Sequence, residues 1–473
     1  MEPITGKILK YQGWPDGKII GLAKHAAAAL AEQGLEREAV LARLDAVRSE
    51  PGHYLADGLL ADLARECLRL LPKESEILDE LRNEPLPYPI WGREVIDTEA
   101  MAQMDTAMRL PVSVAGALMP DAHVGYGLPI GGVLAVDNAV IPFAVGVDIA
   151  CRMRLSLYEV SPYLLGQKKL RFEAALREQT AFGVGARWQG SQRAEHAVLD
   201  DPAWEATGLL RNLQENAVRQ LGTSGSGNHF VEWGAFSLFE PMLGLQPGEY
   251  LALLSHSGSR SIGFKIADRY SKLAMEMHPD LDKQVRHLAW LSLDSEEGQE
   301  YWLSMELAGR FAAANHAVIH QRVAEAVGLK AAAVVENHHN FAWAEKLADG
   351  RTVIVHRKGA TPAGAGVLGV IPGSMGDAGY VVRGKGLGAS LTSASHGAGR
   401  LMSRKAALNS ISRLARDTYM KERGVTLLGG GMDESPQAYK PIEQVIAAQQ
   451  DLVDILGKFN PRIVRMADET GDY

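Results

Sequence analysis

A histidine in the C-terminal third of the chain is followed by glycines and cations. The stretch SASHGAGRLMSRK, residues 393–405, places His396 ahead of Arg400, Arg404 and Lys405, and it contains no acidic residue. Glycines ahead of a helix that starts near Arg400 would free backbone N–H groups to face an anion. Arg400 and Arg404, one helical turn apart, could then hold a phosphate from one face. We therefore expect an anion site here; the alternative is a solvated helix end.

Four further stretches place metal-binding side chains at the ends of apolar runs. They carry Asp148 and Cys151; Asn228, His229 and Glu232; His256 and Arg260; and Glu336, His338, His339 and Asn340. Of the adjacent histidines we favour His339 alone as a ligand, because neighbours on a strand point to opposite faces. Taken singly, each stretch is also explained by ordinary burial or solvation.

Together these side chains form a set suited to metal binding. A thiolate, a carboxylate and three imidazoles suit borderline divalent ions such as Mn²⁺, Zn²⁺ or Co²⁺. A thiolate can also bridge two ions. The donors come from widely separated segments, which is usual for a catalytic site and unusual for a structural one.

Metal ligands beside a phosphate-binding stretch indicate phosphoryl or nucleotidyl transfer, in which metals and arginines neutralise developing charge. His396 is then a metal ligand, a general acid or base, or a nucleophile that attacks phosphorus. Additional ligand contacts are expected from Arg260, Arg357, Lys358 and Ser374. The sequence has neither the P-loop pattern nor the lysine-centred KxDG pattern of common ATP-dependent ligases. A covalently carried nucleotidyl group is therefore not expected on a lysine.

The composition is that of an ordinary globular chain. It has 473 residues, of which 46% are hydrophobic and 22% charged. The net charge of −8 argues against a general nucleic-acid binder, so any such contact must be a local basic patch. Cys67 and Cys151 are the only cysteines, which favours a reducing compartment. Without a signal peptide or an apolar run of membrane-spanning length, we expect a cytoplasmic protein with no membrane segment.

Two regions of different character must position the candidate residues. Residues 1–85 are rich in Ala, Leu and Arg at helical spacing and predict a small helical N-terminal extension. The prolines of residues 83–92 predict a linker. Residues 86–473 combine short apolar runs with helical tracts, which predicts an α+β (mixed α/β) fold in a single large catalytic domain. Helices are predicted over 264–276, 301–328, 403–420 and 442–456.

These motifs, in this order, resemble the RtcB family of GTP-dependent RNA ligases. The matching stretches are DAHVGYGLPIGG (121–132), GVDIAC (146–151), GSGNHFVE (225–232), HSGSR (256–260), HHN (338–340), HRKGAT (356–361), IPGSMG (371–376), SHGAGRLMSR (395–404) and AYK (438–440). The resemblance begins near residue 90, so the helical extension marks a divergent member.

The resemblance implies an RNA ligase that takes part in RNA repair or tRNA splicing. Such an enzyme joins RNA 2′,3′-cyclic phosphate or 3′-phosphate ends to 5′-hydroxyl ends through a covalent histidine–GMP intermediate. Its cofactors are GTP and two Mn²⁺ ions. Its partners are RNA with those ends and, as a further candidate, an archease-like activator.

The resemblance also implies a role for each matching residue. His396 is the nucleophile that accepts GMP. Cys151 bridges both ions, Asp148 and His229 complete one of them, and His256 and His339 complete the other. We assign the nucleotide to Asn228, Glu232, Asn340, Ser374, His396, Gly397, Arg400 and Tyr439. We assign further substrate contacts to Arg260, Lys358 and Arg404.

The chain also departs from the family pattern. The family commonly ends in a Lys-Gly pair whose lysine helps select guanine, whereas this chain ends IVRMADETGDY, with Arg465 near the expected place. Arg152 stands where a glycine is usual. These changes bear on the nucleotide and RNA-end preferences and leave the ligand set intact.

Two other functions stay open at the level of the sequence. The first is a metal-dependent RNA cyclic phosphodiesterase or phosphatase without ligation, which needs neither GTP nor a nucleophilic His396. The second is a non-catalytic sensor of RNA ends or nucleotides. Dependence on GTP distinguishes the first from a ligase, and turnover of cyclic-phosphate RNA excludes the second.

Overall fold

The first part of the chain is helical. The computed structural model describes residues 4–15, 17–70 and 79–468. The helices of the first part are α1 (Gly6–Tyr11), α2 (Lys18–Glu32), α3 (Arg37–Ser49) and α4 (Ala61–Leu70). Apolar residues at helical spacing on α3, such as Val40 and Leu44, are buried in a cluster that these helices share. The domain boundary at residue 85 stays a prediction.

The rest of the chain mixes helices and strands, which confirms the predicted α+β (mixed α/β) class. Its helices are α5 (Thr98–Met108), α6 (Pro142–Val145), α7 (Leu164–Gln167), α8 (Lys169–Gln179), α9 (Gly208–Gln220), α10 (Arg260–Met277), α11 (Glu296–Ala326), α12 (Arg404–Ser410), α13 (Arg413–Glu422) and α14 (Ile442–Ala447). Its strands are β1 (Ser113–His123), β2 (Ile130–Val136), β3 (Ala139–Val140), β4 (Arg152–Tyr158), β5 (Phe230–Leu238), β6 (Gly248–Ser257), β7 (Leu291–Ser292), β8 (Ala333–His338), β9 (Asn340–Lys346), β10 (Thr352–Lys358), β11 (Ala360–Pro362), β12 (Leu368–Ile371), β13 (Gly379–Gly384), β14 (Ser393–Ser395), β15 (Thr426–Leu428) and β16 (Val453–Met466). Within the described ranges, no helix is long and apolar enough to cross a membrane.

The largest sheet brings the candidate metal ligands to one edge. Its strands follow the order β12-β13-β16-β5-β6-β4-β8, with β15 added in parallel beside β16. His229 directly precedes β5, His256 lies near the end of β6, Cys151 directly precedes β4 and His339 directly follows β8. These four strands are antiparallel neighbours, so their ends alternate in chain direction and deliver the four side chains side by side.

Two smaller sheets position the candidate nucleophile. The order β1-β2-β10-β9 forms a four-stranded antiparallel sheet, and β11 pairs with β14 in a sheet of two. The chain leaves β14 at Ser395 and reaches His396 at once, while Asp121 lies within β1. The proline-rich segment predicted as a linker packs against β1, because Leu118 N donates to Pro89 O and Trp91 N donates to Leu118 O.

Helix α11 supports the large sheet from behind. It confirms the long helix predicted over 301–328, although it begins five residues earlier. Asn315 on this helix accepts hydrogen bonds from the backbone N–H groups of Gly222 and Thr223 and donates one to Thr223 O. These bonds fix the loop that leads to His229.

Two of the other predicted helices, over 403–420 and 442–456, are wrong in their bounds. The tract predicted over 403–420 is split into α12 and α13, because the side chains of Ser403 and Ser412 each cap a separate helix start. The helix predicted over 442–456 ends at Ala447, and β16 begins at Val453. Pairing of β16 with both β5 and β13 outweighs the helical preference of the preceding alanines and glutamines.

Candidate active site

Five side chains meet at the edge of the large sheet. The Sγ atom of Cys151 lies 3.4 Å from His229 Nε2 and 3.0 Å from His256 Nε2. His256 Nε2 lies 3.3 Å from His339 Nε2, and Asp148 Oδ2 lies 3.0 Å from His229 Nε2. The five residues predicted as metal ligands therefore form one connected cluster, in which donor atoms of Cys151, His229 and His256 are close enough to hold one ion.

Backbone carbonyls fix the orientation of two of these imidazoles. His229 Nδ1 donates to Ser224 O at 2.7 Å, and His256 Nδ1 donates to Asn228 O at 3.0 Å. Each ring therefore carries its proton on Nδ1 and turns the lone pair of Nε2 toward the sulfur. Burial lowers the pKa of His256 to about 3. The neutral imidazole that results is the form that binds a divalent ion.

The donor set fits a divalent metal ion. Burial and the neighbouring Asp148 raise the pKa of the Cys151 thiol, and a bound cation would remove this penalty by holding the thiolate. The Nδ1 atom of His339 is buried and has no hydrogen-bond partner among the described residues. Sulfur, imidazole and carboxylate donors together suit a divalent transition-metal ion.

The backbone around Cys151 is held in an uncommon conformation. Ala150 has a φ of 57°, and its N–H donates to Asn340 O at 2.7 Å. Asn340 also donates from Nδ2 to Asp148 O at 3.3 Å and accepts at Oδ1 from Gly359 N at 2.8 Å. Asn340, predicted as a nucleotide contact, thus uses its polar groups to fasten the ligand segment from behind.

His396 lies beside the ligand cluster. The centroid of its ring is 4.9 Å from that of His339. Asp121 Oδ2 accepts hydrogen bonds from His396 Nδ1 at 2.6 Å, from His396 N at 3.1 Å and from Gly397 N at 3.2 Å. One carboxylate oxygen therefore fixes both the ring and the backbone of His396, keeps the proton on Nδ1 and leaves Nε2 with a free lone pair.

Asp121 was not among the residues predicted from the sequence. Its side chain is completely buried. Burial opposes the charged carboxylate, but attraction to His396 and Lys440 holds the pKa of Asp121 below its usual value. A signal for it existed, because Asp121 directly follows the apolar run GALMP within β1.

Arg400 and Arg404, which follow His396, are paired within the chain, although the stretch 393–405 itself contains no acidic residue. Arg400 Nη1 donates to Glu434 Oε2 at 3.0 Å, and Arg400 Nη2 donates to Asp433 O at 2.7 Å. Arg404 Nη1 contacts the carboxylates of both Asp433 and Glu434. The expected helix starts at Arg404 rather than near Arg400, so the two arginines meet at Glu434 and do not share a helix face.

A cavity of about 1200 Å³ joins these groups. Besides His256, His339 and His396, its lining includes the predicted contacts Asn228, Ser374, Gly397, Arg400, Arg404 and Tyr439. Glu232, Asn340, Arg260 and Lys358 do not line it. The structure thus brings most of the predicted nucleotide contacts to the wall that also holds His396.

Two of the lining hydroxyl groups already donate their protons to carboxylates. Ser374 Oγ donates to Asp377 Oδ2 at 2.5 Å, and the Tyr439 hydroxyl donates to Glu434. Arg400 lies over the Tyr439 ring, with its guanidinium carbon 5.1 Å from the centroid. Toward a ligand, both hydroxyls therefore act as hydrogen-bond acceptors.

Glu232 is buried in β5, away from the cavity wall. Its Oε2 atom has no hydrogen-bond partner among the described residues. Burial raises the pKa of Glu232 well above its usual value, because a carboxylate without water is disfavoured.

Arg260 and Lys358 flank the ligand cluster. Arg260 has a φ of 59°, and its Nε donates to Thr223 Oγ1 at 3.3 Å, which places its guanidinium beside His229. Lys358 is almost fully buried at the end of β10, and its Nζ donates to Tyr126 O. Burial lowers the pKa of Lys358 to about 7.

Arg357 cannot contact a ligand, although the sequence indicated a cation there. Its side chain is completely buried and pairs with Glu345, with 2.6 Å between Nη1 and Oε1. It also donates to Leu391 O at 2.8 Å and to Ser393 Oγ at 2.7 Å. Leu391 and Thr392 both have positive φ values, of 51° and 47°, just ahead of β14. Arg357 therefore clamps the strained turn that leads to His396.

Glu336 and His338, which come from the same stretch as His339, lie outside the cluster of predicted metal ligands. Glu336 pairs with Arg152 at 3.1 Å and with Arg154 at 2.7 Å. His338 points away from His339, as expected for neighbours on a strand, and stacks on Phe341 with centroids 4.7 Å apart.

Arg465, near the expected place of the family's terminal lysine, is bound within the chain. It pairs with Asp468, with 2.7 Å between Nη1 and Oδ1, and donates to Leu428 O at 2.9 Å. Met466, the next residue, lines the cavity in its place.

Comparisons with known proteins cover this whole arrangement. Residues 103–467 match the family model described as tRNA-splicing ligase RtcB. The chain is 33% identical to the RNA-splicing ligase RtcB of Escherichia coli strain K12 over 407 residues, which cover 80% of this chain and 96% of that relative. It is 30% identical to the tRNA-splicing ligase RtcB of Thermococcus kodakarensis over 428 residues, which cover 73% of this chain and 86% of that relative.

Proposed function

The chain belongs to the RtcB family and is an RNA ligase, and we propose that it joins RNA ends with GTP and two Mn²⁺ ions through GMP carried on His396. One observation carries the proposal. A buried carboxylate, Asp121, holds the proton of His396 on Nδ1, and the ring lies beside a cluster of five metal-binding side chains.

In this proposal, Cys151 is shared between two metal positions. Asp148 Oδ2 lies 3.0 Å from His229 Nε2, and His256 Nε2 lies 3.3 Å from His339 Nε2, so the donors are paired as the two proposed sites require. Two divalent ions held there would neutralise a triphosphate and stabilise the departing pyrophosphate.

His396 Nε2 is the proposed nucleophile toward the α-phosphorus of GTP. A bond forms between Nε2 and phosphorus, and the bond to the bridging oxygen breaks to release pyrophosphate. The ring becomes cationic as its lone pair is used, and the charge of Asp121 on Nδ1 stabilises that form. Asn228, Gly397, Arg400 and Arg404 line the same cavity and are the proposed phosphate contacts.

The guanine end of the nucleotide is proposed to lie near Ser374 and Tyr439. Both hydroxyls face the cavity as acceptors, which supports a base that donates hydrogen bonds, as guanine does at N1 and N2. Glu232 in β5, whose pKa burial raises, is the proposed third contact.

The RNA steps follow from leaving-group chemistry. A 2′,3′-cyclic phosphate is first hydrolysed to a 3′-phosphate. A 3′-phosphate is a poor electrophile, because its leaving group would be hydroxide, and transfer of GMP from His396 supplies a better one. The 5′-hydroxyl of a second strand then attacks, forms the phosphodiester and releases GMP. Arg260 and Lys358 flank the cluster as the proposed RNA contacts.

Incubation with radiolabelled GTP and Mn²⁺, followed by protein separation, tests the proposal directly. We expect a labelled protein, loss of label in His396→Ala and unchanged labelling in His25→Ala, an exposed histidine of α2. A wild-type enzyme that seals RNA without becoming labelled contradicts the histidine–GMP route. Conversion of cyclic-phosphate RNA without GTP and without sealing would favour a phosphodiesterase instead.

Two further parts of the proposal concern the setting of the enzyme. The free cysteines Cys67 and Cys151 support a reducing cytoplasm. An archease-like protein is the proposed activator, and its addition should raise the number of turnovers per enzyme molecule.

A further inference from the structure

The loop between β1 and β2 presents an exposed aromatic ring at the rim of the cavity. The side chain of Tyr126 is 73% exposed, and Tyr126 lines the same cavity as His396. Tyrosines of a soluble protein usually bury most of their ring, because the ring is a large apolar surface. An exposed tyrosine ring at the cavity that holds His396 can therefore stack on the aromatic face of a ligand.

The backbone of this loop is fixed although the ring is exposed. Gln103 Nε2 donates to Gly125 O at 2.7 Å, and Gly125 N donates to Gln103 Oε1 at 3.0 Å. Lys358 Nζ donates to Tyr126 O. Gly127, with a φ of +70°, packs so closely on His287 that an added Cβ would lie 3.2 Å from it. The backbone that carries the ring is thus fixed before a ligand arrives, which lowers the entropy lost on binding.

The same loop adjoins the metal-binding side of the cavity. The end of the Lys358 side chain lies 3.9 Å from the position of a Cβ built on Gly146, two residues before Asp148. Val147, between these two residues, is 48% exposed. Lys358 is buried and does not line the cavity, so its contacts tie the loop that carries Tyr126 to the ligand segment.

We propose, on the premise of the ligase function above, that Tyr126 is a stacking platform for the terminal base of the RNA strand that carries the 3′-phosphate. Single-stranded RNA is bound by aromatic rings that stack on bases and by cations that contact phosphates. The 3′-phosphate strand fits better than the 5′-hydroxyl strand, because only the former carries a charged phosphate at its reacting end. With a net charge of −8, the chain must bind RNA through such local contacts.

Equilibrium binding of a fluorescent 3′-phosphate oligoribonucleotide, followed by anisotropy without GTP, tests the proposal. Tyr126→Ala should raise the Kd roughly 5- to 150-fold, the effect of losing one stacked base, while Tyr126→Trp should stay near wild type. Tyr163→Ala is the matched control, because Tyr163 is 84% exposed and lies outside the cavity lining. The melting temperature of each variant reports its folding.

An abasic oligonucleotide identifies the base that is contacted. When the 3′-terminal nucleotide lacks its base, wild type and Tyr126→Ala should bind equally. When the 5′-terminal nucleotide lacks its base, the difference should remain. An unchanged Kd in Tyr126→Ala, or a difference that survives the 3′-abasic end, overturns the proposal.

Labelling with GTP separates this proposal from the one above. Tyr126→Ala should form enzyme–GMP at the wild-type rate, because no RNA is present in that step. Failure of the wild-type protein to form enzyme–GMP would refute the ligation route. The RNA-binding assay contains no GTP, so its result would still decide the role of Tyr126.

Discussion

The substitution Asp121→Asn separates the charge behind His396 from its geometry. An asparagine oxygen can accept the three hydrogen bonds that Asp121 Oδ2 now accepts from His396 Nδ1, His396 N and Gly397 N. The amide group would then take the place of Oδ1, which has no partner among the described residues. The shape of the site is kept, and the negative charge is lost.

The expected loss follows from the strength of the bond to Nδ1. A hydrogen bond to a charged group contributes about 1.5–3 kcal/mol and a neutral one about 0.5–1.5 kcal/mol. The difference of about 1–1.5 kcal/mol corresponds to a rate of GMP transfer that is roughly 5- to 12-fold lower. A loss of the correct tautomer would cost far more, since an Asp-to-Asn change behind the catalytic histidine of a serine protease lowers the rate about 10⁴-fold.

The assay is the single-turnover rate of enzyme–GMP formation with radiolabelled GTP over a range of pH. Metal content by elemental analysis and the melting temperature establish that Asp121→Asn keeps its ions and its fold. Asp137→Asn, an exposed carboxylate in the turn after β2, is the matched control. A variant that labels at the wild-type rate across the pH range would refute the role given to the Asp121 charge.

Three further outcomes are expected. Cys151→Ala should lose bound metal in elemental analysis, while Cys67→Ala should retain it, because only Cys151 lies among the metal-binding side chains. Arg357→Met should lower the free energy of unfolding in urea by about 3 kcal/mol, because it leaves Glu345 without its partner, and should slow enzyme–GMP formation by loosening the turn before His396. Burial lowers the pKa of Lys358 from 10.5 to about 7, so the unfolded chain binds more protons between these values and stability should rise with pH there. Lys358→Met should flatten that rise, as measured by urea unfolding at pH 7 and pH 9.

The metal-binding set could be predicted from the sequence because each member lies at the end of an apolar run. Strand ends of one sheet gather at its edges, so polar residues at those ends are expected to meet. The same rule pointed at Asp121, but a single aspartate after an apolar run is too common a pattern to single out. What identifies it is a distance of 2.6 Å to a residue 275 positions away.

Contacts between segments that are distant in the sequence explain the remaining differences between the predictions and the structure. Asp433 and Glu434 neutralise the arginines after His396 from a different segment, so the stretch 393–405 alone looks uncompensated. Likewise β16 is a strand because β5 and β13 flank it, which local preferences between residues 442 and 456 do not reveal. Local sequence gives the chemistry that a segment can offer, whereas its partners are set by the folded chain.

The side-by-side strand ends of the large sheet have a consequence for how the protein acquires its ions. The spacing between the donors is set by the hydrogen-bonded ladder and by the carbonyls that hold His229 and His256, none of which needs a metal. The protein should therefore be a preformed receptor, unlike small zinc domains that fold only when loaded. A chelator should remove the bound ions without unfolding the sheet. Added metal should then rebind without a slow refolding phase.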